Sequence, residues 1–252
     1  MKFGSVINLP SGVGEMGHNQ IIFDLGMNNG DDTEYYLAKG YKVVAVEANP
    51  KLCMLAAVRF SNAVLDGRLV IVNAAIADSA GDLIFYINTE NDHWSSLDKS
   101  WASRNDSNVI ACSVKGIKIH HIIEQYGEPF FIKIDIEGGD MVVLHQIMCL
   151  KFTPHFLSVE DCRSGFEYLD LLWKIGYRRF KLSNQAIVPA MTDLQINYRF
   201  RLGASGMFGD DLPGEWLTYE SFLSLYEQKV RNRKTLMRLA APEVWWDIHC
   251  AK

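Results

Sequence analysis

Short apolar runs alternate along the chain with longer segments of helical character. The first run, Ile21-Ile22-Phe23, ends in an acid and passes through Gly26 and Gly30 into a helical segment. This is the pattern of a buried parallel strand that turns sharply into a helix. The same succession of strand, turn and helix returns further along the chain. Strands that alternate with helices predict an α/β fold, a mainly parallel sheet flanked by helices and joined by right-handed crossovers.

The pattern also predicts the individual elements. Strands are expected at about 21–25, 42–46, 69–74, 83–88, 109–114, 130–135, 156–159, 177–182 and 195–202, and helices at about 32–39, 50–60, 117–125, 140–150 and 165–175. Pro50 in a first helical turn and Gly40 after a last turn are typical helix terminators. Residues 89–107 between two strands are polar and predict a long loop, which within a compact domain is more often functional than idle.

Three segments of different character divide the chain. Residues 1–20 are rich in Gly and Ser and have no period, so we expect a mobile N-terminal arm. Residues 21–203 carry the alternating pattern and predict one α/β domain. Residues 204–252 predict a C-terminal extension, in which a loop punctuated by Gly and Pro precedes an amphipathic helix from about Tyr219 to Ala240. We expect this extension to cover the acceptor side of the domain.

Composition narrows the class of protein. The 252 residues are 48% hydrophobic, which is enough for a sizeable core. The net charge is −5, the pI is near 5.8, and no basic stripe crosses the first two hundred residues. A nucleic-acid partner is therefore not expected, and a small or neutral acceptor fits better.

Cysteine usage and hydropathy bear on location. The five cysteines are odd in number, scattered and never in a C-x-x-C pair, which argues against a disulfide framework and a thiolate metal cluster. The N-terminus lacks an apolar core of signal-peptide length, and no later run approaches the ~20 apolar residues of a transmembrane helix. These features predict a soluble, cytoplasmic protein; they do not indicate its oligomeric state.

The first two strands end in residues that suit a cofactor containing adenosine. Glu47 closes the second strand, where an acid meets the two hydroxyls of a ribose. The spacing Gly26-x-x-x-Gly30 differs from the G-x-G-x-x-G of dinucleotide folds, which speaks against an NAD-dependent oxidoreductase. Asp24, Asp31 and Asp32 would repel a pyrophosphate but suit the ammonium and sulfonium of S-adenosylmethionine.

The motif D-L-G-x-N-x-G, followed by V-E-A-N-P at 46–50, resembles the cofactor site of class I methyltransferases, and more narrowly the FkbM family. Three later stretches carry the same resemblance: V-N-A-A-I at 72–76, K-I-D-I-E-G at 133–138 and L-S-V-E at 157–160. The resemblance covers about residues 21–177. The chain departs from the fuller G-x-G-x-G pattern, because Asn28 stands where that pattern has a glycine.

This resemblance implies a Rossmann-like class I fold, with one of the last strands antiparallel, and methyl transfer from S-adenosylmethionine to a hydroxyl of a sugar, glycan or related natural product. It implies that Glu47 binds the ribose and that the backbone at Gly26 lies against the methionine part. The expected cofactor-binding residues are Asp24, Gly26, Asn28, Gly30, Glu47, Asn49, Asn73 and Ala74. A non-catalytic cofactor- or glycan-binding protein of the same fold is the alternative from another class.

The acceptor is expected beyond the carboxyl ends of the strands. On the sugar hypothesis His93 or Asp135 takes the hydroxyl proton, Glu160 orients the ring and Trp94 forms a stacking platform. Glu137 and Asp161 are further expected acceptor-binding residues. The segment 208–216 is expected to overhang the same edge and to add aromatic side chains. The alternative is that the tryptophans only pin their loops to the domain.

A divalent metal is a further hypothesis. Asp135, Glu160 and Asp161 resemble the acidic trio of metal-dependent O-methyltransferases such as the macrocin type, and their hard oxygen ligands select Mg²⁺, Ca²⁺ or Mn²⁺. In the alternative interpretation, Asp135 and Glu137 only cap the following helix and Glu160 binds the acceptor hydroxyls directly.

Overall fold

A computed structural model of the chain describes residues 19–241 and 243–252. The expectation of a mobile arm in residues 1–20 therefore falls outside the described residues, apart from Asn19 and Gln20. The main structural feature of the described part is a seven-stranded sheet in the order β3-β2-β1-β7-β8-β12-β9. The twelve strands are β1 (Ile21–Leu25), β2 (Lys42–Glu47), β3 (Leu69–Asn73), β4 (Ala75–Ile76), β5 (Gly81–Asn88), β6 (Val109–Ile117), β7 (Phe131–Ile134), β8 (Phe156–Glu160), β9 (Arg179–Asn184), β10 (Thr192–Asp193), β11 (Tyr198–Arg199) and β12 (Trp246–Ala251).

Strand β12 gives the sheet its only antiparallel member within the described residues. It pairs antiparallel with β8 on one side and with β9 on the other, while the remaining neighbours are parallel. One antiparallel strand was predicted, but at the wrong place. Residues 195–202 contribute only β11, which pairs with β10 in a separate two-stranded ribbon. The tail 204–252 is therefore not wholly an extension, because its last strand completes the main sheet.

The described residues form eight α-helices, most of which flank the sheet. They are α1 (Asp31–Ala38), α2 (Pro50–Arg59), α3 (Ser61–Leu65), α4 (Lys99–Ala102), α5 (Ile119–Tyr126), α6 (Asp140–Met148), α7 (Gly165–Ile175) and α8 (Tyr219–Lys229). Pro50 occupies the first turn of α2, and the side chain of Asn49 caps that helix by accepting a hydrogen bond from the Lys51 amide. The mainly parallel sheet flanked by helices is thus confirmed.

The core lies in two layers because successive strand residues point to opposite faces. In β1, Phe23 and Leu25 pack into the layer that contains buried residues of α5, α6, α7 and α8. Ile22 packs into the other layer, with residues of α1, α2 and α3. The central strands are thereby covered on both sides, which is the usual environment of parallel strands.

A small second sheet lies beside the carboxyl ends of the main strands. In it, β4 pairs parallel with β6, and β6 pairs antiparallel with β5 over eight residues of β5. The connection between β5 and β6 was predicted to be a polar loop. It contains α4 and two short 3₁₀ helices, at Asp92–Trp94 and Arg104–Asp106. Its shape is set largely by hydrogen bonds from its own polar side chains, as at the Asp98 cap of α4.

The predicted helix from about Tyr219 to Ala240 is too long. Helix α8 ends at Lys229, and Arg231 and Arg238 then face each other in an isolated antiparallel bridge. The Asn232 side chain accepts hydrogen bonds from the amides of Lys234 and Thr235. A turn of this kind competes with helix hydrogen bonding and ends the helix.

Residues 208–216 do not overhang the ligand edge, in contrast to the expectation. Phe208 stacks on Phe131, with ring centroids 4.1 Å apart, and Trp216 stacks on Phe156 at 5.9 Å. Phe131 and Phe156 are the first residues of β7 and β8, so this segment covers the opposite end of the sheet. Its aromatic side chains Phe208 and Trp216 pack against the sheet.

Two negative findings concern the described part of the chain. Its helices include none that combines the length and the hydropathy needed to cross a lipid bilayer. The five cysteines are all free thiols, with Cys53 and Cys250 buried.

Candidate active site

The loop after β1 is built around Gly26. Its amide and that of Met27 donate to the Val46 carbonyl oxygen at 3.0 and 3.1 Å. Gly26 has a φ of +85°, and a Cβ at this position would lie 1.8 Å from the carbonyl oxygen of Asp135. Only glycine fits, because the loops that follow β1 and β7 touch through bare backbone.

Glu47 ends β2 with its carboxylate held in a fixed orientation. One carboxylate oxygen accepts from the Asn28 amide at 2.8 Å and the other from the Asn49 amide at 2.7 Å. Burial raises the pKa of this carboxyl group, while the two amides act in the opposite direction. Each oxygen retains a lone pair for another donor, so the group can accept hydrogen bonds from two hydroxyls.

A cavity of about 470 Å³ opens in front of this carboxylate, within the size range of small-molecule sites. Four of the predicted cofactor residues line it: Gly26, Asn28, Glu47 and Ala74. An apolar wall, which the sequence reasoning did not identify, is made by side chains from β4, β5 and α6, namely Ile76, Phe85 and Val142. The cavity therefore joins a polar end that can hold hydroxyls to an apolar end that can hold a flat ring.

The other four predicted cofactor residues are not part of the lining. Gly30 precedes α1 and packs against Phe60, Asn49 caps α2, and the Asn73 amide donates to the carbonyl oxygens of Glu47 and Ala48. Asp24 is fully buried and accepts a hydrogen bond from the Thr33 hydroxyl at 2.6 Å. In this arrangement these residues shape the loops and do not face the cavity.

The acids near α1 are neutralised by cations that sequence reasoning did not assign to them. Asp31 pairs with Arg59 at 2.8 Å and with Arg201 at 2.6 Å, and these partners lower its pKa against the effect of burial. Asp32 pairs with Lys133 at 3.1 Å. These ion pairs reduce the repulsion that the carboxylates would exert on a pyrophosphate.

A second cavity of about 780 Å³ adjoins the first. Both are lined by His93, Asp135, Glu137 and Gly138, so a molecule in one cavity can meet a molecule in the other at these residues. All three predicted catalytic residues, His93, Asp135 and Glu160, line the second cavity, as do Trp94 and Asp161. Sequence reasoning gave no role to several other polar or aromatic residues of its wall, among them Asp140, Gln185, Arg231, Trp245 and Asp247.

Carboxylates converge where the two cavities meet. Ligand oxygens of Asp135, Glu137 and Glu160 all lie within 4.8 Å of one another. Burial, followed by the charges of neighbouring carboxylates, raises the pKa of Glu160 well above its usual value and has the same effect on Asp247. The pKa of Glu137 rises to about 7, for which burial is again the largest cause. These groups are thus poised to exchange protons or to receive hydrogen-bond donors.

Lys133 provides positive charge beneath this group. Its ammonium lies 3.4 Å from Asp135, 3.1 Å from Asp32 and 3.7 Å from Asp24. Burial alone would lower the pKa of Lys133, but the three carboxylates raise it by more, so the pKa lies well above its usual value. The lysine therefore remains charged and compensates part of the buried negative charge.

Glu137 is positioned by the connection between β5 and β6. Its carboxylate accepts from the Trp101 indole at 2.7 Å and from Arg104 at 2.9 Å, and the guanidinium of Arg104 lies 4.7 Å from the ring centre of Trp94. Ser96 donates to the Glu137 carbonyl oxygen at 2.6 Å. Trp101 thus pins its loop, while Trp94 remains part of the cavity wall.

Asp161 has a different environment from the other predicted acids. It is buried in an ion pair with Arg231 at 2.6 Å and accepts a hydrogen bond from the Tyr226 hydroxyl. The group within ligand distance instead contains Glu137. The structure therefore brings together Asp135 and Glu160 of the predicted metal trio, but not Asp161.

Comparisons with known proteins identify the family of the chain. The family model of the methyltransferase FkbM domain matches residues 24–179, whereas a search of curated proteins finds no match. Among solved structures, the chain is similar to a precorrin-6y C5,15-methyltransferase from Geobacter metallireducens, with 9% identity, a TM-score of 0.44, and coverage of 94% of this chain and 82% of that one. It is also similar to an S-adenosylmethionine-dependent O-methyltransferase from Thermotoga maritima, with 11% identity, a TM-score of 0.39, and coverage of 93% and 60%.

Similarity at these levels says nothing about the acceptor. The family match, by contrast, covers more than half of the chain and includes the Gly26 loop, Glu47 and the carboxylate group. The resemblance seen in the sequence is therefore confirmed, and the chain belongs to the FkbM methyltransferase domain family, as a methyltransferase that uses S-adenosylmethionine and has the Rossmann-like class I fold.

Proposed function

We propose that the protein is an O-methyltransferase that acts on a hydroxyl of a sugar, a glycan or a related polyhydroxylated natural product. The observation that carries this proposal is the carboxylate group at the junction of the two cavities. Asp135 and Glu160 present carboxyl oxygens there, and such oxygens can accept hydrogen bonds from hydroxyls. Trp94 and Trp245 line the same cavity and offer apolar faces for the C–H side of a sugar ring.

The residues of the first cavity fit S-adenosylmethionine, which supplies a methyl group on a sulfonium. Glu47 would accept both ribose hydroxyls, with its carboxylate held by the Asn28 and Asn49 amides. The wall that includes Ile76 and Phe85 would hold the adenine. Gly26 lines the same cavity, so its backbone would lie against the methionine part.

The chain's own part in the reaction is to orient the acceptor and to receive one proton. His93 and Asp135 line both cavities, so each can reach an acceptor hydroxyl at the junction. Glu160 lines only the second cavity, which suits it to orient the acceptor ring. We assign the proton to His93 or Asp135 and the orienting contact to Glu160.

A panel of acceptors tests this function. Purified protein with labelled methyl donor is offered glycans and simple sugars beside catechols, macrolides and peptides, and the products are scored by mass for methyl ethers. Release of S-adenosylhomocysteine that depends on a glycan supports the proposal and excludes a purely binding role. Turnover of a catechol or peptide, with none on any glycan, refutes the sugar assignment while leaving the cofactor site intact.

The same carboxylates also suit the metal hypothesis, and we propose the direct role for them instead. Glu137 already accepts hydrogen bonds from Trp101 and Arg104, and Lys133 already places positive charge beside Asp135. A metal-dependent enzyme would lose its activity in excess EDTA and regain it with Mg²⁺, Ca²⁺ or Mn²⁺. We expect full activity in EDTA.

A further inference from the structure

Gln185 is a buried amide at the ligand edge of the sheet that the roles assigned so far leave unused. It follows β9 directly and begins the 3₁₀ helix Gln185–Ala190. The residue is 2% exposed, yet it lines the second cavity together with Glu160 and Asp247. It therefore belongs to the inner wall of the cavity assigned to the acceptor.

Both side-chain atoms of Gln185 lack a hydrogen-bond partner among the residues that the structure describes. Buried amide groups are nearly always paired, because an unpaired donor or acceptor loses its bonds to water and gains nothing in return. A buried amide at a cavity wall, with both its donor and its acceptor unpaired, is typical of a binding site that lacks its ligand.

The fold does not need this side chain to hold its own backbone. The Gln185 amide N–H donates to the Trp245 carbonyl oxygen at 2.9 Å. The turn that follows is capped by the neighbouring Asn184, whose side chain accepts from the Ala186 amide at 3.0 Å. The carboxamide group itself is thus available for a ligand.

We infer that Gln185 is a specificity-determining residue that recognises two adjacent hydroxyls of the acceptor. The nitrogen can donate to one hydroxyl oxygen, and the oxygen can accept from the neighbouring hydroxyl. Glu160 and Asp247 in the same wall can accept hydrogen bonds from further hydroxyls, so the subsite selects a vicinal diol in a polyol. This inference rests on the proposed function and narrows its substrate class.

The test uses Gln185→Met, which keeps the length of the side chain and removes the amide. Gln228→Met on the exposed face of α8 is a matched control. Each protein is assayed with the best acceptor of the panel and with its two monodeoxy analogues. The parent should prefer the diol in kcat/KM by about 10- to 100-fold, since a site built to bond a hydroxyl discriminates strongly against its loss. Gln185→Met should lose most of this preference, while its affinity for S-adenosylmethionine stays within about twofold of the parent value.

Failure to methylate any sugar would refute the proposed function by itself. A second measurement, of Tm, then still tests whether the Gln185 amide is unpaired. An unpaired buried amide costs stability, so in the absence of acceptor Gln185→Met should raise Tm by about 2 to 4 °C. Gln228→Met should leave Tm unchanged. A lower Tm for Gln185→Met would show that the amide has a structural partner, and undiminished preference for the diol would show that it does not read the acceptor. Either result overturns the inference.

Discussion

Replacing Glu47 with alanine is expected to weaken the binding of S-adenosylmethionine by ~2 to 4 kcal/mol. The carboxylate is 7% exposed, and two backbone amides fix it, so each oxygen has one lone pair left for a ribose hydroxyl. A hydrogen bond to a charged group contributes about 1.5 to 3 kcal/mol. The full sum of two such bonds is not expected, since the free carboxylate also exchanges its bonds with water.

This loss corresponds to a rise in Kd of about 30- to 800-fold. Glu47→Gln should fall between alanine and the parent, because it keeps one oxygen acceptor and loses the charge. Alanine also leaves the amides of Asn28 and Asn49 without their acceptor. Glu47 itself lines the cavity, however, so in Glu47→Ala water can enter the space of the carboxylate and accept from both amides.

Isothermal titration calorimetry with S-adenosylmethionine and S-adenosylhomocysteine measures the change. Glu124→Ala, on the exposed side of α5, is a matched control, and thermal unfolding checks that each variant is folded. The parent should bind a cofactor analogue that lacks the ribose 2′-hydroxyl more weakly than the natural cofactor. Glu47→Ala should bind the analogue and the natural cofactor equally well. If Glu47→Ala binds S-adenosylmethionine as tightly as the parent, the ribose assignment is wrong.

Three further predictions concern cofactor binding and stability. Gly26→Ala should abolish cofactor binding, because its Cβ would lie 1.8 Å from a carbonyl oxygen of the neighbouring loop; Gly40→Ala has a similar positive φ but open space around the new Cβ, so calorimetry on both separates the clash from the backbone strain. Arg231→Met should cost ~3 to 5 kcal/mol in denaturant unfolding, because it leaves the buried Asp161 carboxylate unpaired, and adding Asp161→Asn should restore part of that loss. Burial, together with a nearby lysine, lowers the pKa of His249 to about 3, so the folded protein keeps the ring neutral while the unfolded chain takes up a proton below pH 6.5. Stability should therefore fall by ~1.4 kcal/mol per pH unit below 6.5, and between pH 7 and 5 the parent should lose about 2 kcal/mol more than His249→Leu.

The sequence predicted the elements around the cofactor well because they are specified locally. An apolar run, a glycine and an acid within about ten residues are enough to mark β1 and its loop, and the same holds for β2 with Glu47. Helix α7 was predicted with its observed bounds, Gly165–Ile175. In these cases periodicity and terminators agree, and tertiary contacts only reinforce the local preference.

The tail was predicted poorly because its structure depends on distant partners. Strand β12 carries Asp247 and His249 at positions that a central strand normally fills with apolar residues. Both are buried, Asp247 at the cavity wall and His249 opposite Lys181 in the register with β9. A polar pair of this kind reads as surface in a sequence, and only the neighbouring strands show that it is interior.

The proposed acceptor site was predicted only in part, because some of its contacts also depend on distant residues. Acids at strand ends, such as Asp135 and Glu160, could be identified because parallel strands bring their carboxyl ends to one edge. The pairing of Asp161 with Arg231 joins residues seventy positions apart and has no local signal. Gln185 follows a strand as Asp135 does, but an isolated glutamine in a sequence gives no sign that its amide will be buried and unpaired.

The position of β12 between β8 and β9 has a consequence for the growing chain on the ribosome. Sixty-one residues separate the end of β9 from the start of β12, which at about 5 to 20 residues per second takes about 3 to 12 s to synthesise. During that interval β8 and β9 have no direct partner in each other, and their facing edges remain open. Until β12 is synthesised, the backbone N–H and C=O groups on these two strand edges are unpaired and can form non-native hydrogen bonds. Asp247 reaches the cavity wall only when β12 lies between β8 and β9, so the proposed acceptor site is among the last parts of the chain to form.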